Sequence, residues 1–341
     1  MSDERRVVVP IGAYLDELRD FQTYILQTQN ANAVLLAIAQ LRLLDYLDDG
    51  PVSAAEIAAS GTLHAENVFR VLRFLAAQQV IDCDAQDRFR HTARSRLLQQ
   101  HLSGLQFMRE AMGAAQGLAQ CLQSGRPAFE CSFGMPVFEY LAEHPETMRY
   151  FADLMSRTTA VLEAFVFANH RFAPFELAID VGGSHGRLMM ALLANYPDTR
   201  GIVFDLPETA AQAAEIIARS PVADRIEVRG GDFFEAVPAS GDLYLLKQIL
   251  HDWNAEECVS ILSSIRAAIA DSGRLAVIEY LLPEAPVPHP GFAMDVHMMV
   301  LSTGRERTLS EYVELFAAAG FRLDGVTENP QGLSVAEAVP V

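Results

Sequence analysis

The stretch Leu177 to Gly186, reading L-A-I-D-V-G-G-S-H-G, constrains this 341-residue chain more than any other. The mostly apolar run Leu177 to Val181 predicts a strand. It ends in Gly182 and Gly183, and Gly186 follows. Arg187 to Tyr196 then carries Leu188, Met189, Leu192 and Leu193 at helical spacing. Strand, glycine loop and helix, in that order, open a nucleotide-binding α/β sheet. The glycines let the backbone approach a ligand, and the helix N-terminus offers free N–H groups to its anionic part. Such turns also occur in α/β proteins that bind nothing, so the order of the later strands has to decide.

That order is informative. Arg200 to Phe204 predicts a second strand leading into Asp205, a carboxylate placed to bind the two hydroxyls of a ribose. The alternative for Asp205 is a helix cap before Pro207. A third strand, Arg225 to Val228, leads into Gly231-Asp232-Phe233-Phe234, where Asp232 could accept from an adenine amino group and Phe233 cover the ring. A fourth, Leu243 to Leu246, runs into K-Q-I-L-H-D-W, and Asn254 with Glu257 forms a capping box for the next helix. A fifth strand covers Arg274 to Tyr280. After a helix at Leu309 to Ala319, the strands Arg322 to Thr327 and Leu333 to Ala338 are close enough to pair antiparallel. The fold class expected is α/β: a Rossmann-like class I methyltransferase sheet with a C-terminal antiparallel pair, preceded by an α-helical winged-helix domain.

The winged helix is read from the first hundred residues. Ala31 to Leu47 predicts one helix, stopped by Gly50-Pro51. Ser53 and Glu56 form a capping box for a second helix, Ala54 to Ala59, ended by Gly61. Ala65 to Gln78 predicts a third, with Val68, Leu72 and Leu75 on one face, before a short hairpin around Asp84 to Asp87. A net charge of −18 repels phosphate backbones and anionic lipid, so neither nucleic acid nor membrane is an expected partner. The apolar surface of Ala31 to Leu47 exceeds what a small domain buries, which points to a homodimer through this domain. Cys83, Cys121, Cys131 and Cys258 lack C-x-x-C spacing and read as free thiols. The N-terminus M-S-D-E-R-R lacks an apolar h-region, so a cytoplasmic location is expected.

Between the two parts, His101 to Gln123, Pro136 to Glu143 and Pro145 to Phe167 predict helices rich in Phe and Met. The expected organisation is therefore 1–100, a winged-helix dimerisation domain; 101–175, a helical linker and substrate-pocket segment; and 176–341, the cofactor-binding domain. Phe133, Phe138, Met155, Met294 and Met298 are candidates to line a pocket for a flat apolar molecule. Trp253, the chain's single tryptophan, could be pocket wall or core.

At this point the chain resembles the S-adenosylmethionine (SAM) dependent O-methyltransferases of the plant caffeate and hydroxyindole type, with their bacterial natural-product relatives. The residues that carry the resemblance are D-V-G-G-S-H-G (Asp180 to Gly186), F-D-L-P (Phe204 to Pro207), G-D-F-F (Gly231 to Phe234), L-K-Q-I-L-H-D-W (Leu246 to Trp253), V-I-E-Y-L-L-P (Val277 to Pro283) and G-R-E-R-T (Gly304 to Thr308). The resemblance implies that Gly182 and Gly183 pack on the amino-acid end of SAM. It implies that Asp205 binds the ribose, Leu206 packs on the adenine, Asp232 and Phe233 hold the adenine, and Lys247 approaches the cofactor. It also implies that His251 is a general base flanked by Glu279 and Glu306, and that S-adenosylhomocysteine is the product. Two positions depart from the family's pattern. Ser184-His185 stand where a third glycine and a small residue are usual, and Phe138 stands where relatives often carry Trp.

The chemistry suits these residue types. A phenol has a pKa of about 10 and is mostly protonated at neutral pH, whereas an imidazole titrates near 6.5 and can take its proton. A carboxylate beside it holds one tautomer and stabilises the imidazolium, as Asp does in hydrolase triads. Asp252 could cap the following helix or help orient His251. Asp295, His297 and His289 make a poor metal set, and no metal is expected. The expected function is methyl transfer from SAM to a hydroxyl of a small aromatic natural product. The alternatives are N-methylation or non-methylating SAM-bound chemistry on the same fold, a winged-helix regulator, and an NAD-dependent oxidoreductase.

Overall fold

The computed structural model describes residues 11–329 and 332–341. The chain divides into two compact units, the first running to Arg109 and the second from Glu110 to Val341.

The first unit opens with a long helix, Ile11–Leu41, and a 3-10 turn, Leu43–Leu47. Arg42 separates them in a left-handed conformation (φ 50°), its guanidinium bonded to Asp45 at 2.5 Å. The single helix expected over Ala31 to Leu47 is thus two elements, and the first starts about five turns earlier than the sequence pattern showed. Strand β1 (Val52–Ser53), helices Ala54–Gly61 and Ala65–Ala77, and strands β2 (Ile81–Cys83) and β3 (Arg88–His91) follow, with β3 between β1 and β2. The Ser53–Glu56 capping box forms, and Thr62 rather than Gly61 supplies the left-handed end of that helix. Ile38, Leu44, Leu47, Ile57, Leu72 and Phe89 make the core. The expected excess of apolar surface is displaced: Ile38, Leu43, Leu44 and Leu47 are buried, and it is Leu18, Phe21, Tyr24, Ile25 and Leu26 that stand exposed.

In the second unit the helix expected over His101 to Gln123 is broken. Leu102–Ala115 ends and Leu118–Ser124 begins anew. The Ser132 hydroxyl donates to the Ala114 carbonyl, so the next element satisfies a helix-end acceptor that continued helix would have used. A short helix not foreseen, Ala128–Phe133, supplies that serine. Val137–Glu143 and Pro145–Asn169 follow close to expectation.

The sheet comprises β4 (Leu177–Val181), β5 (Arg200–Asp205), β6 (Ile226–Gly230), β7 (Leu243–Lys247), β8 (Arg274–Leu282), β10 (Phe321–Thr327) and β11 (Leu333–Pro340), in the order β10-β11-β8-β7-β4-β5-β6. The short β9 (Arg307–Thr308) is added to β8. Strands β4 to β8 pair in parallel, while β11 runs antiparallel to both β8 and β10. The inner parallel strands β4, β5, β7 and β8 are covered on both faces, which is why Ile179, Val203, Leu245, Leu246, Ala276 and Val277 are all buried and these strands read as mostly apolar runs, whereas the edge strand β6 exposes Glu227 and Arg229. From β4 the chain steps through β5 to β6, then returns to β7 on the other side of β4. A crevice opens at such a switch point outside the carboxyl ends of the strands, and the glycine loop, Asp205, Asp232, Lys247 and His251 all follow the ends of these strands.

Ile261 is fully buried in the core beneath β7, and Trp253 packs against that same core. Ile261→Ala is expected to destabilise this unit by about 2–5 kcal/mol, the usual cost of an Ile-to-Ala cavity. Denaturant unfolding followed by Trp253 fluorescence reads it, and a loss well under 1 kcal/mol would contradict the packing.

Candidate active site

The loop after β4 folds back onto β5. The Gly182 N–H donates to the Phe204 carbonyl at 2.8 Å and the Gly183 N–H to the same oxygen at 3.2 Å. Gly182 has φ +71°, and a Cβ there would lie 2.4 Å from Ile249 Cδ1, so the glycine lets the cofactor loop and the segment after β7 meet. Ser184 also adopts a left-handed conformation, φ 48°, and its N–H donates to Asp205 Oδ2 at 2.8 Å. His185 reaches Gln212 at 3.3 Å.

Asp205 is therefore tied to the glycine loop, and its second oxygen accepts from the Leu206 N–H at 2.8 Å. Burial raises its carboxyl above the ordinary range, against these two bonds. The Gly231 N–H donates to the Asp205 carbonyl, which joins the ends of β5 and β6. Asp232 is exposed and accepts from the Phe234 N–H at 2.8 Å, a local turn. Phe233 is half-buried, edge-on to Phe234 and Trp253, and Leu206 stands 57% exposed beside Asp205. Lys247 donates to Thr159 Oγ1 at 2.9 Å and Gln248 Oε1 at 3.2 Å.

One residue was missed. Asp180, in β4, is 2% exposed; burial pushes its carboxyl up to about 7 against the pull of Lys247, and its Oδ2 has no hydrogen-bond partner among the described residues. The signal was present: an ionisable residue in a strand otherwise buried and apolar. Orphaned and paired carboxylates at the ends of β4 and β5, next to an exposed leucine and a half-buried phenylalanine, form an acceptor set with apolar cover that fits SAM. Its cationic amino-acid end and ribose diol need acceptors, and its adenine needs apolar cover.

The segment after β7 is pinned from β8. Glu279 Oε1 accepts from the Ile249 N–H (2.9 Å) and the Leu250 N–H (3.0 Å), and a 3-10 turn, Leu250–Asp252, then presents His251. His251 is 7% exposed. Its Nδ1 lies 2.8 Å from Glu306 Oε1 and 3.8 Å from Glu279 Oε2, and its Nε2 lies 3.8 Å from Asp252 Oδ1. Burial alone pushes the imidazole down. Glu279, Asp252 and the hydrogen bond to Glu306 outweigh it and raise His251 to about 10, while burial raises Glu279 and Asp252. The Glu306 N–H donates to Asp295 Oδ1 at 2.9 Å, so helix Pro290–Leu301 helps set Glu306. His297, on that helix, is held below its ordinary value by burial and then by the charge of His251.

The three residues His251, Glu279 and Glu306 come together as expected. They also offer one nitrogen and two carboxylate oxygens within 4.8 Å of one another, a set with metal-ligand character. The 2.8 Å contact between Nδ1 and Oε1 is a hydrogen bond, which engages two of those atoms with a proton. His289 instead caps its own helix by accepting from the Gly291 N–H, so the set of Asp295, His297 and His289 does not assemble as ligands.

The pocket candidates separate. Met155 sits one turn before Thr159, the partner of Lys247, and the Thr159 hydroxyl donates to the Met155 carbonyl. Met294 and the buried Met298 lie on the helix that carries Asp295 and His297. Phe133 stacks on Phe129 (4.5 Å) and against Tyr140, while Phe138 is 47% exposed and edge-on to Phe151 in a second aromatic pair. The Phe133 helix packs against the helix of Met294 and Met298. Trp253 packs on Phe234 (4.9 Å) and Phe233. A half-open cleft of about 460 Å³, lined by Cys121, Pro127, Asp295, Met299, Arg305 and Glu306 among others, includes none of the expected pocket residues.

Asp205→Asn is expected to weaken binding of S-adenosylhomocysteine about ten- to a hundredfold, because hydrogen bonds to a charged acceptor contribute about 1.5–3 kcal/mol. Calorimetric titration measures it, and unchanged affinity would remove Asp205 from the site.

Comparison with known proteins gives the family. The O-methyltransferase domain family matches residues 116–322 and the O-methyltransferase dimerisation domain family matches residues 25–101. The chain is 36% identical to the phenazine O-methyltransferase PhzM of Lysobacter antibioticus over 90% of this chain and 92% of that one. It is 30% identical to the phenazine-1-carboxylate N-methyltransferase of Pseudomonas aeruginosa over 85% of this chain and 88% of that one. Among solved structures, the O-methyltransferase NcsB1 of neocarzinostatin biosynthesis, in complex with SAM and 2-hydroxy-5-methyl naphthoic acid, superposes with a TM-score of 0.78 at 28% identity, covering 91% of this chain and 96% of that one. The chain belongs to the SAM-dependent O-methyltransferase family, with the class I methyltransferase fold and an N-terminal dimerisation domain.

Proposed function

We propose that this chain transfers the methyl group of SAM to a hydroxyl of a small aromatic natural product, with His251 as general base and Glu279 and Glu306 as its partners. The observation that carries this reading is the buried hydrogen bond between His251 Nδ1 and Glu306 Oε1 at 2.8 Å. With Nδ1 engaged, Nε2 is the nitrogen left to receive a proton. SAM, when bound, supplies an electrophilic methyl on its sulfonium. Asp180, Asp205, Leu206, Asp232, Phe233 and Lys247, with the backbone at Gly182 and Gly183, would hold it.

The chain's own work is to orient the hydroxyl and take its proton. The raised imidazole is a stronger base than free histidine, which favours taking the proton of a weakly acidic phenol. The carboxylates that raise it are the groups that stabilise the imidazolium once formed. Met155, Met294 and Met298 offer a polarizable apolar wall, which suits fused-ring acceptors such as the phenazine and naphthoic acid of the relatives.

A second reading, methylation at nitrogen, has support in the N-methyltransferase relative. A ring nitrogen attacks without losing a proton, however, and gives a buried base nothing to do. The His251–Glu306 pair therefore favours a hydroxyl.

His251→Ala is expected to retain S-adenosylhomocysteine binding while transfer to hydroxyarenes falls about a hundredfold or more. Full activity would sink the base. The sign of the pH dependence follows from the raised imidazole: the proton-accepting form grows as pH rises, so kcat/KM should climb from pH 7 towards 9. A profile that is flat or falling over that range, or one unchanged in His251→Ala, would contradict the assignment.

The exposed side chains Phe21, Tyr24, Ile25 and Leu26 on the first helix, at and just before the start of the segment 25–101 matched by the dimerisation family, support a homodimer through this unit. Sedimentation at micromolar concentration should give a dimer for the unaltered chain and a monomer for Phe21→Asp/Tyr24→Asp. An unaltered chain that sediments as a monomer would refute this.

A further inference from the structure

The segment Ile249–Trp253 is held at its amides by Glu279 and at its imidazole by Glu306. Its carbonyls are held by a residue not yet given a role. Arg307 is 2% exposed. Its Nη1 donates to the Leu250 carbonyl at 2.8 Å and the Arg305 carbonyl at 3.3 Å, and its Nη2 donates to the Trp253 carbonyl at 2.7 Å. Leu250 and Trp253 bracket His251 and Asp252. One rigid, planar fork therefore spans the turn that presents the imidazole.

Two further contacts make the same clamp. A Cβ on Gly304 would lie 1.9 Å from the His251 carbonyl oxygen and 2.5 Å from the Asp252 carbonyl carbon, so this backbone lies directly against the turn and only glycine fits. Arg307 itself is fixed by strand pairing, since β9 adds to β8 with Arg307 opposite Leu281, two residues beyond Glu279. The amide-side and carbonyl-side holds on the turn thus come from neighbouring strands. Burying a guanidinium is costly, and these carbonyl oxygens replace its lost water.

We propose that Arg307 is a positioning residue for methyl transfer, its guanidinium locking the Leu250–Trp253 turn in the conformation that keeps His251 Nδ1 on Glu306. It acts through His251, so the proposal rests on the reading of His251 as the base. A lysine keeps the charge but is a single-point donor and cannot span both carbonyls.

Two variants separate fork from charge: Arg307→Lys removes the fork alone, and Arg307→Met removes both. For each, kcat and KM with a hydroxyarene acceptor are measured from pH 6 to 10, together with S-adenosylhomocysteine affinity and thermal unfolding, with His251→Ala alongside. The expected result is a fall in kcat of about tenfold or more for Lys and about a hundredfold for Met, the scale of a reacting group displaced by about 1 Å, at unchanged S-adenosylhomocysteine affinity. His251 is faced by Glu279 from β8, Glu306 from the segment before β9, Asp252 from its own turn and His297 from helix Pro290–Leu301. Removing a positive charge from beside this set favours the imidazolium, so the rise of activity should move to higher pH in the Met variant and stay in place in the Lys variant. Wild-type kcat in Arg307→Lys overturns the proposal. So does a loss of kcat accompanied by an equal loss of cofactor affinity and of unfolding temperature, which would mark a purely structural residue. If Arg307→Met does not fold, the Lys variant decides alone. Full activity in His251→Ala overturns both this proposal and the base reading, whereas loss there with wild-type rates in both Arg307 variants overturns only this one.

Discussion

A single imidazole buried among three carboxylates is the constraint around which the catalytic end is built. Each carboxyl would rather be neutral out of water, and the imidazole would rather lose its proton. Placed together they reverse the preference of the imidazole, because Glu279, Asp252 and Glu306 outweigh the desolvation of His251, while Glu279 and Asp252 stay raised by burial. The arrangement holds only at short range. Glu279 spends one oxygen on the Ile249 and Leu250 amides, Glu306 bonds the ring, and Asp295 bonds the Glu306 amide. Polar groups buried this deeply are fixed by one another, and losing any of them leaves a partner unsatisfied.

The sheet makes that cluster possible. Parallel strands covered on both faces, as β4, β5, β7 and β8 are, leave their carboxyl ends as the places where the chain can expose polar groups. The switch between β5 and β7 on either side of β4 sets the glycine loop next to the catalytic segment, and Gly182 lets them touch at Ile249. β8 then serves twice, carrying Glu279 and pairing with β9, which brings Glu306 and Arg307 to the turn. The glycine loop and His251 are thus neighbours by topology, with no long loop needed to join them.

Much of this was legible in the chain. Apolar runs marked β4, β5, β7 and β8 to within a residue or two, since buried parallel strands leave a nearly continuous hydrophobic signature, while the edge strand β6 alternates with exposed Glu227 and Arg229. The capping boxes at Ser53 and Asn254 formed as read, because both partners lie within one helical turn. Local pattern failed where another element intervened. Ser132 ends a helix that the periodicity would have continued past Ala115, and Arg42, in a left-handed conformation, splits a helix whose apolar spacing runs on. The pocket candidates Phe133 and Phe138 look like any other aromatic in the sequence, and only packing gives their neighbours, Phe129 and Tyr140 for the first and Phe151 for the second.

The sequence by itself determined the strand–loop–helix order, the carboxylate or histidine at each strand end, and through the ordered motifs the family. Those features depend on residues close together in the chain, where spacing and residue type fix the outcome. Tertiary structure alone decided that Asp180 is buried with an oxygen left over, that Asp295 orients Glu306, and that Arg307 spans the carbonyls on either side of His251. Each of those contacts joins residues far apart in sequence, and their energies come from burial and geometry that exist only once the strands have paired.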